Sequence, residues 1–279
     1  MADCTRCGRK LPAISFGSGG LCDNCRQAEQ DEIQPGGHAS QLISPWSTGP
    51  AVTMAIMGLN IAVYLAMVLN GVSATEPSVQ DSIRWGALAG PLAFGTENFP
   101  AEPWRVLTSI FEHGGLFHIG MNMWCLWNVG RLAEQIYDKG TYLWAYLLCG
   151  VGGCLACLWW SPMSATVGAS GAIFGVVGLL ITTFWLGKLP ISRAQTQGTL
   201  YSLMIFVGYS LYFGAVTPRT SNSAHIGGLF TGLILGGLMA PFLTHDRRES
   251  QGIRWLILAG AAAALVALFH VLKVQALNS

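Results

Sequence analysis

A serine and a histidine that could form a hydrolytic pair lie in two separate apolar stretches. Ser170 stands among small residues in Gly168-Ala169-Ser170-Gly171, and His225 follows Ala224 at the start of a later stretch. A serine hydroxyl becomes a nucleophile when a neighbouring base takes its proton, and imidazole is the usual base. The two side chains therefore predict nucleophilic hydrolysis in an apolar environment.

Glycines follow both residues at helical spacing. They are Gly171, Gly175 and Gly178 after the serine, and Gly228 and Gly232 after the histidine. Such positions share one helical face, and small residues let two membrane helices approach closely. Packing of this kind would bring the hydroxyl and the imidazole together. For either helix taken alone, ordinary small-residue packing explains the pattern better, because most serines in membrane helices bond only to their own backbone.

Two further polar residues, His118 and Asn122, lie four positions apart and so share a helical face. Polar side chains inside a membrane are costly and commonly functional. Together with the backbone N–H of Ser170, their donors could stabilise the oxyanion of a tetrahedral intermediate. We therefore expect acyl transfer, with cleavage of a peptide bond inside the bilayer as the leading hypothesis.

The composition indicates a polytopic membrane protein. Hydrophobic residues make up 52% of the 279 positions and charged residues only 10%, whereas about a quarter of the residues in soluble proteins are charged. The candidate spans approach the roughly 20 residues that a helix needs to cross a bilayer, and their composition favours helices over barrel strands. These spans are 51–70, 116–130 (extending through 132–137), 141–161, 167–187, 198–217, 224–243 and 255–272. A net charge of +1 does not suggest a nucleic-acid partner.

The distribution of Lys and Arg predicts the orientation. With the N-terminus inside, eleven of these residues face the cytoplasm and four face outward, as the excess of positive charge in cytoplasmic segments requires. The C-terminus is then outside, and Ser170 lies at least about 5 Å below the outer surface. The first 26 residues lack the composition of a secretory signal or a mitochondrial presequence. We therefore expect the first span to direct insertion, into a prokaryotic plasma membrane.

Four cysteines near the N-terminus form the pairs Cys4-x-x-Cys7 and Cys22-x-x-Cys25. Two such pairs at this separation are typical of a tetrahedral structural zinc site. Two disulfides are disfavoured in a reducing cytoplasm, and a redox CxxC would need a surrounding βαβ pattern that is missing. The segment resembles a zinc ribbon. It could be a docking module with an unknown partner or a stabilising appendage, and the sequence favours neither.

Several motifs, taken in order, resemble the rhomboid family of intramembrane serine proteases. They are Trp104-Arg105, His118-x-x-x-Asn122, Gly168-Ala169-Ser170-Gly171 and Ala224-His225-x-x-Gly228-x-x-x-Gly232, within a match from about residue 51 to 243. The resemblance implies that Ser170 is the nucleophile and His225 the general base and then acid. It implies that His118, Asn122 and the Ser170 N–H bind the oxyanion, and that catalysis needs no cofactor.

The resemblance also assigns supporting residues. Trp104 and Arg105 match a structural signature in an outer loop, and Glu134 matches an inner-end glutamate that holds helices together. Phe174 lies one turn below the serine, where its ring could stack on the imidazole of His225 or simply pack in the core. No acid accompanies the histidine, so a dyad is expected. His38, His113, His245 and His270 have no similar constellation.

The expected fold is an all-α polytopic membrane protein with a six-helix rhomboid core, one additional C-terminal transmembrane helix and a small N-terminal zinc ribbon. The predicted boundaries are 1–26 for the zinc-ribbon-like head, 27–50 for a flexible linker, 51–243 for the core and 244–279 for an inner loop and the seventh helix. The fifth span carries bulky aromatic residues, which suit either a movable gate or a lipid-facing surface. The resemblance implies single-span membrane proteins as substrates. The alternative function is a catalytically silent scaffold that binds membrane proteins.

Overall fold

The structure is a computed structural model that describes Cys4, Cys7, Cys25 and residues 49–187, 189, 191–217, 220–243 and 250–278. The chain divides into two compact units, Met1–Gly49 and Pro50–Ser279. Most of the predicted head and linker, including Cys22 and His38, lies outside the described residues, as does His245. The predicted domain boundaries therefore stay predictions.

The second unit is built from α-helices. In chain order they are α1 (Ala51–Leu69), α2 (Val79–Trp85), α3 (Gly90–Phe94), α4 (Arg105–Thr108), α5 (Leu116–Ile136), α6 (Lys139–Trp160), α7 (Ser170–Leu186), α8 (Arg193–Val216), α9 (Asn222–Met239) and α10 (Gln251–Asn278), with a 3-10 turn at Ala240–Phe242. In the described part of the chain, extended pairing is limited to isolated bridges such as Leu88 with Thr166.

Each of the seven predicted spans coincides with one long helix. Five of these helices are long and apolar enough to cross a membrane by length and composition: α1, α6, α8, α9 with its 3-10 turn, and α10. The other two are α5, which carries His118 and Asn122, and the 17-residue α7. Most residues of α7 are buried against neighbouring helices, so little of this helix is left to face lipid. The prediction of an all-α polytopic membrane protein is confirmed.

The core lies where α6, α7 and α9 pack against one another, and glycines set the spacing. A methyl group added at Gly228 would collide with the carbonyl oxygen of Gly171, and one at Gly232 would collide with that of Gly175. The two helices therefore touch backbone to backbone. The predicted glycine faces are confirmed, and they bring the first turn of α7 against the first turns of α9.

Glu134, near the C-terminus of α5, joins that helix to the N-terminus of α1. Its carboxylate accepts hydrogen bonds from the backbone N–H of Val52 (2.9 Å), the backbone N–H of Thr53 (3.0 Å) and the Thr53 hydroxyl (2.9 Å). The first N–H groups of a helix have no partner within the helix, and an anion there also meets the positive end of the helix dipole. The predicted role of Glu134 in holding helices together is confirmed.

Replacement of Glu134 by alanine is expected to lower the free energy of unfolding by about 2 kcal/mol, because donors at the start of α1 would lose their acceptor. Thermal denaturation in detergent micelles measures this change. Glu76→Ala is the matched control, since Glu76 is an exposed acid outside the long helices. Equal stability of the two variants would contradict the assigned role.

The seventh long helix, α10, is attached at both ends. Near its N-terminus the Arg254 guanidinium donates to the Asp138 carboxylate at 3.3 Å, and Asp138 also caps the N-terminus of α6. In its C-terminal half the ring of Phe269 lies 5.4 Å from that of Phe94 in α3. The C-terminal addition is thus docked on the core.

Candidate active site

The segment before α7 places Ser170 as the first residue of that helix. Gly168 has a positive φ of 119°, a backbone conformation that residues other than glycine rarely adopt. Its N–H donates to the carbonyl oxygen of Ser109 at 2.8 Å. A methyl group at this glycine would lie 2.7 Å from Nε2 of His118. Both the conformation and the lack of space therefore require glycine two residues before the serine.

His225 lies in the first turn of α9, where the Ser221 side chain caps the helix. The imidazole is 6% exposed and stacks on Phe174, with ring centroids 4.2 Å apart and ring planes 5° from parallel. The predicted stacking is confirmed, and it fixes the plane of the imidazole. Phe174 in turn contacts the ring of Phe206 in α8 at 5.6 Å.

The local backbones bring the two halves of the predicted dyad to the same region. Gly171 and Ala224, their chain neighbours, are in contact: a methyl at Gly171 would lie 3.3 Å from the Ala224 carbonyl oxygen. Among the described residues, neither Ser170 nor any acid is hydrogen-bonded to the imidazole, and its buried Nδ1 has no partner. The dyad itself therefore stays a prediction.

The structure brings His118 and Asn122 together beside the segment that carries the serine. Nδ1 of His118 accepts a hydrogen bond from the Gly114 N–H at 3.2 Å. In a neutral imidazole the other nitrogen then carries the proton, so Nε2 is a donor. Nδ2 of Asn122 is a buried donor that lacks a partner in the described part of the chain. The two nitrogens lie 2.7 and 3.5 Å from the methyl position of Gly168.

The structural role predicted for Trp104 and Arg105 is confirmed. The Arg105 side chain is 6% exposed and donates from Nε to Glu102 at 2.5 Å. Its Nη1 donates to the carbonyl oxygens of Ile83 (2.7 Å) and Ala87 (3.0 Å), and the guanidinium lies 4.6 Å from the centre of the Trp104 ring. These contacts hold the loop that precedes α5 in place.

His113, for which no constellation similar to the predicted dyad was expected, lies against a predicted oxyanion residue. Its ring meets that of His118 edge to face at a centroid distance of 5.1 Å, and its Nδ1 donates to the Phe111 carbonyl oxygen at 3.3 Å. Its neighbour Glu112 is fully buried. Sequence reasoning missed both residues. The available signal was an acid beside a histidine, separated from His118 by the turn-forming pair Gly114-Gly115.

A second candidate site lies in the N-terminal unit. The sulfur atoms of Cys4, Cys7 and Cys25 lie within 4.8 Å of one another. Three thiols at this separation suit a tetrahedral zinc, which thiolates bind at about 2.3 Å. The cluster could therefore hold a metal. The predicted fourth ligand, Cys22, lies outside the described residues.

A groove of about 580 Å³ runs between α5 and α8. Its walls include Trp124, Leu132, Leu203 and Phe206. Helix α8 is loosely packed, since 11% of its most apolar stretch is buried against 61% for α6. Its aromatic residues Tyr201 and Tyr209 are 70% and 66% exposed. The packing permits a movable helix and equally a lipid-facing one.

Comparisons with known proteins agree with this architecture. The Rhomboid domain family matches residues 100–242, just over half of the chain. The chain is 33% identical over 183 residues to "Rhomboid protease GluP" of Bacillus subtilis, covering 66% of this chain and 34% of that protein. It is 31% identical over 188 residues to "RHOMBOID-like protein 4" of Arabidopsis thaliana, covering 61% of this chain and 47% of that protein.

A third relative, "Inactive rhomboid protein 1" of Callithrix jacchus, is 28% identical over 194 residues, covering 67% of this chain and 22% of that protein. The chain thus spans less than half the length of these curated relatives. The matched segment contains all four predicted catalytic and oxyanion residues together with the helices that position them. The chain belongs to the rhomboid family.

Proposed function

We propose that this protein is an intramembrane serine endopeptidase that cleaves transmembrane segments of membrane proteins near their outer end. The observation that carries the proposal is the convergence of a stacked, buried imidazole and two donors on the segment containing Ser170. Membership of a family that includes a named protease supports the same reaction class.

In the proposed mechanism Ser170 attacks the scissile carbonyl while His225 takes the hydroxyl proton. The histidine then donates this proton to the leaving amine, which frees the C-terminal product and leaves an acyl-serine. Nε2–H of His118, Nδ2 of Asn122 and the Ser170 N–H stabilise the negative oxygen in both tetrahedral intermediates. A water activated by His225 releases the acyl group and regenerates the enzyme.

We infer that substrates are single-span membrane proteins whose helices are weakened near the cleavage site. A hydrogen-bonded helix hides its carbonyl groups, so the segment must unwind before Ser170 can attack. The groove between α5 and α8, together with the sparse packing of α8, supports entry beside this helix. Small or helix-breaking residues at the outer end of a substrate span would lower the cost of unwinding.

The competing function is that of a silent membrane-protein scaffold, as the name of the Callithrix jacchus relative suggests for that protein. A fluorophosphonate probe distinguishes the two, because it phosphonylates a serine only when the hydroxyl is activated. We expect stoichiometric labelling that mass spectrometry maps to Ser170 and that Ser170→Ala removes. The control Ser164→Ala changes an exposed serine before α7 and should leave labelling intact. Absence of labelling in the wild type would favour the scaffold.

Phe174 offers a graded test of histidine positioning. Phe174→Tyr is expected to retain activity, because stacking needs the ring and not the hydroxyl. Phe174→Ala should lower kcat about fivefold, which corresponds to loss of about 1 kcal/mol of ring interaction. Cleavage rates at saturating substrate, with thermal stability measured in parallel, check this result. An unchanged kcat in Phe174→Ala would show that the stacked ring does not orient the base.

We propose that the head binds one structural zinc through Cys4, Cys7, Cys22 and Cys25. The grouping of three of these sulfur atoms supports the site. Metal analysis of the purified protein should give about one zinc per chain. Cys4→Ser should abolish binding, whereas Cys125→Ser, in α5, should not. Retention of zinc in Cys4→Ser would contradict the ligand set.

We propose that the protein lies in a prokaryotic plasma membrane with its N-terminus in the cytoplasm and its C-terminus outside. The Lys and Arg distribution supports this orientation. A C-terminal alkaline phosphatase fusion, active only outside the cytoplasm, should be active. A C-terminal fluorescent protein that folds only in the cytoplasm should stay dark. The reverse pattern would invert the orientation.

A further inference from the structure

Glu112 is an acidic residue sealed into the outer loop next to the proposed oxyanion donors. Its relative exposure is 0%, and no hydrogen bond of ordinary geometry reaches either carboxylate oxygen from the described residues. A buried carboxylate without partners costs several kcal/mol, whereas a neutral carboxylic acid costs much less. The surroundings of Glu112 therefore favour its protonated form.

The cation that interacts with Glu112, Arg105, is already engaged. Arg105 attracts the carboxylate, and the Ser82 hydroxyl also faces it. Nε of Arg105, however, pairs with Glu102, and its Nη1 bonds to two carbonyl oxygens. The guanidinium thus gives partial compensation for a charge on Glu112 and not a dedicated partner.

The adjacent His113 does not supply a compensating charge. Its side chain is fully buried, and Nδ1 donates to the Phe111 carbonyl oxygen, so Nε2 presents a lone pair that has no partner in the described ranges. Burial, with a smaller contribution from His118, lowers the pKa of His113 to about 3. This ring stays neutral around neutral pH and places its edge against the ring of His118.

The loop that contains Glu112 is hydrogen-bonded both to the segment before Ser170 and to the His118 side chain. The Ser109 carbonyl oxygen accepts the N–H of Gly168 at 2.8 Å, and the Gly114 N–H donates to Nδ1 of His118 at 3.2 Å. These two bonds lie three residues before and two residues after Glu112. A displacement of its side chain toward water or toward Arg105 would move the backbone that sets both contacts.

We propose that Glu112 is a positioning residue whose protonated form keeps this loop, and through it the His118 donor, in the arrangement needed for oxyanion stabilisation. Loss of the proton to solvent places a negative charge that Arg105 only partly compensates beside His113, and this loosens the loop. Ionisation of Glu112 therefore lowers the catalytic rate as the pH at the outer surface rises.

The direction of the effect follows from the buried carboxyl. Burial raises the pKa of Glu112 to about 7, with the Ser82 hydroxyl and the charge of Arg105 offsetting part of that rise. A raised folded-state pKa stabilises the native state at low pH, and this stabilisation is lost as the pH rises through about 7. The proposed general base His225 must be neutral to accept a proton, so its protonation limits the rate on the acid side instead.

The test rests on the proposed function and uses the full-length protein in liposomes with a cleavable transmembrane reporter. In the wild type, kcat should fall about tenfold per pH unit above about pH 7, until the residual rate of the ionised form is reached. Glu112→Gln and Glu112→Met remove the ionisable group and should lose this alkaline limb while keeping the acid limb. Glu97→Gln, an exposed acid in the same outer loop, should retain the wild-type profile.

A uniform loss of activity at every pH in both Glu112 variants, with the alkaline limb retained, would overturn the proposal because it would show a merely structural role. Isotope-edited infrared spectroscopy of the Ser170→Ala protein gives an independent readout. It should show a protonated carboxyl band at about pH 6 that disappears by about pH 8 and is absent from the Glu112→Gln double variant. Absence of this band from the Ser170→Ala protein would also overturn the proposal. Failure of the wild type to cleave would count against the proposed function alone, since the infrared titration would still report on Glu112.

Discussion

Ser170→Ala and His225→Ala are each expected to reduce cleavage of a reporter transmembrane segment by at least about a thousandfold. The serine variant lacks the atom that forms the acyl-enzyme. The histidine variant lacks the group that activates the hydroxyl and protonates the leaving amine, and a catalytic pair of this kind fails when either member is removed. Quantitative cleavage in proteoliposomes, with product masses determined, measures both effects.

The matched controls replace a serine and a histidine that lie outside the proposed site. Ser164→Ala alters an exposed serine in the connection before α7, and His270→Ala alters an exposed histidine in α10. Both should cleave at the wild-type rate. The double variant Ser170→Ala/His225→Ala should be no slower than either single one, because the two residues act as a unit. Persistent cleavage at the same bond in Ser170→Ala would remove the nucleophile assignment.

Gly228→Val is expected to abolish cleavage and to lower the free energy of unfolding by about 3 kcal/mol. The new side chain would have to occupy the position of the Gly171 carbonyl oxygen. Backbone cannot yield as the end of a flexible side chain can, so α9 must separate from α7, and the imidazole moves away from the serine with it. Cleavage assays and thermal denaturation in micelles follow the two consequences.

The control for this steric argument is Gly58→Val in α1, where an added methyl group meets nothing within 4 Å. That variant should retain activity and stability. Gly228→Ala should have an intermediate effect, since its single methyl group already collides with the same carbonyl oxygen. Full activity of Gly228→Val would show that close contact of α7 and α9 is not needed for the chemistry.

Hydropathy and small-residue spacing predict much of this fold because both report on local requirements. A helix in lipid must satisfy its own backbone and cover itself with apolar side chains, so the span boundaries are visible in the sequence. The close contact of α7 and α9 is visible for a similar reason, since only glycine permits it at Gly228 and Gly232.

Features that depend on contacts between residues far apart in the chain were harder to predict from the sequence. The short helices α2, α3 and α4 are too brief for a periodic signal, and the attachment of α10 rests on Arg254 reaching Asp138 across 116 residues. The position of Glu112 also depends on tertiary structure. In the sequence it is an acid in a polar loop, and only the fold shows that no solvent reaches it.

The candidate site likewise has some features that the sequence predicts and others that only the tertiary structure determines. His118 and Asn122 share a face because of helix geometry, so their proximity is predictable. That Nε2 of His118 is a donor follows from the bond between Gly114 and Nδ1, which no sequence pattern specifies. The stacking of Phe174 on His225 likewise depended on the relative rotation of two helices.

The separation between Oγ of Ser170 and the nearer ring nitrogen of His225 tests the central claim most directly. An experimental structure of the protein in lipid, at a resolution that shows ordered water, measures it. We predict an oxygen-to-nitrogen distance of about 2.6–3.2 Å, with a solvent path from the outer surface. A hydroxyl bonded only to its own backbone, beside an imidazole turned to another partner, would contradict the proposed catalytic pair.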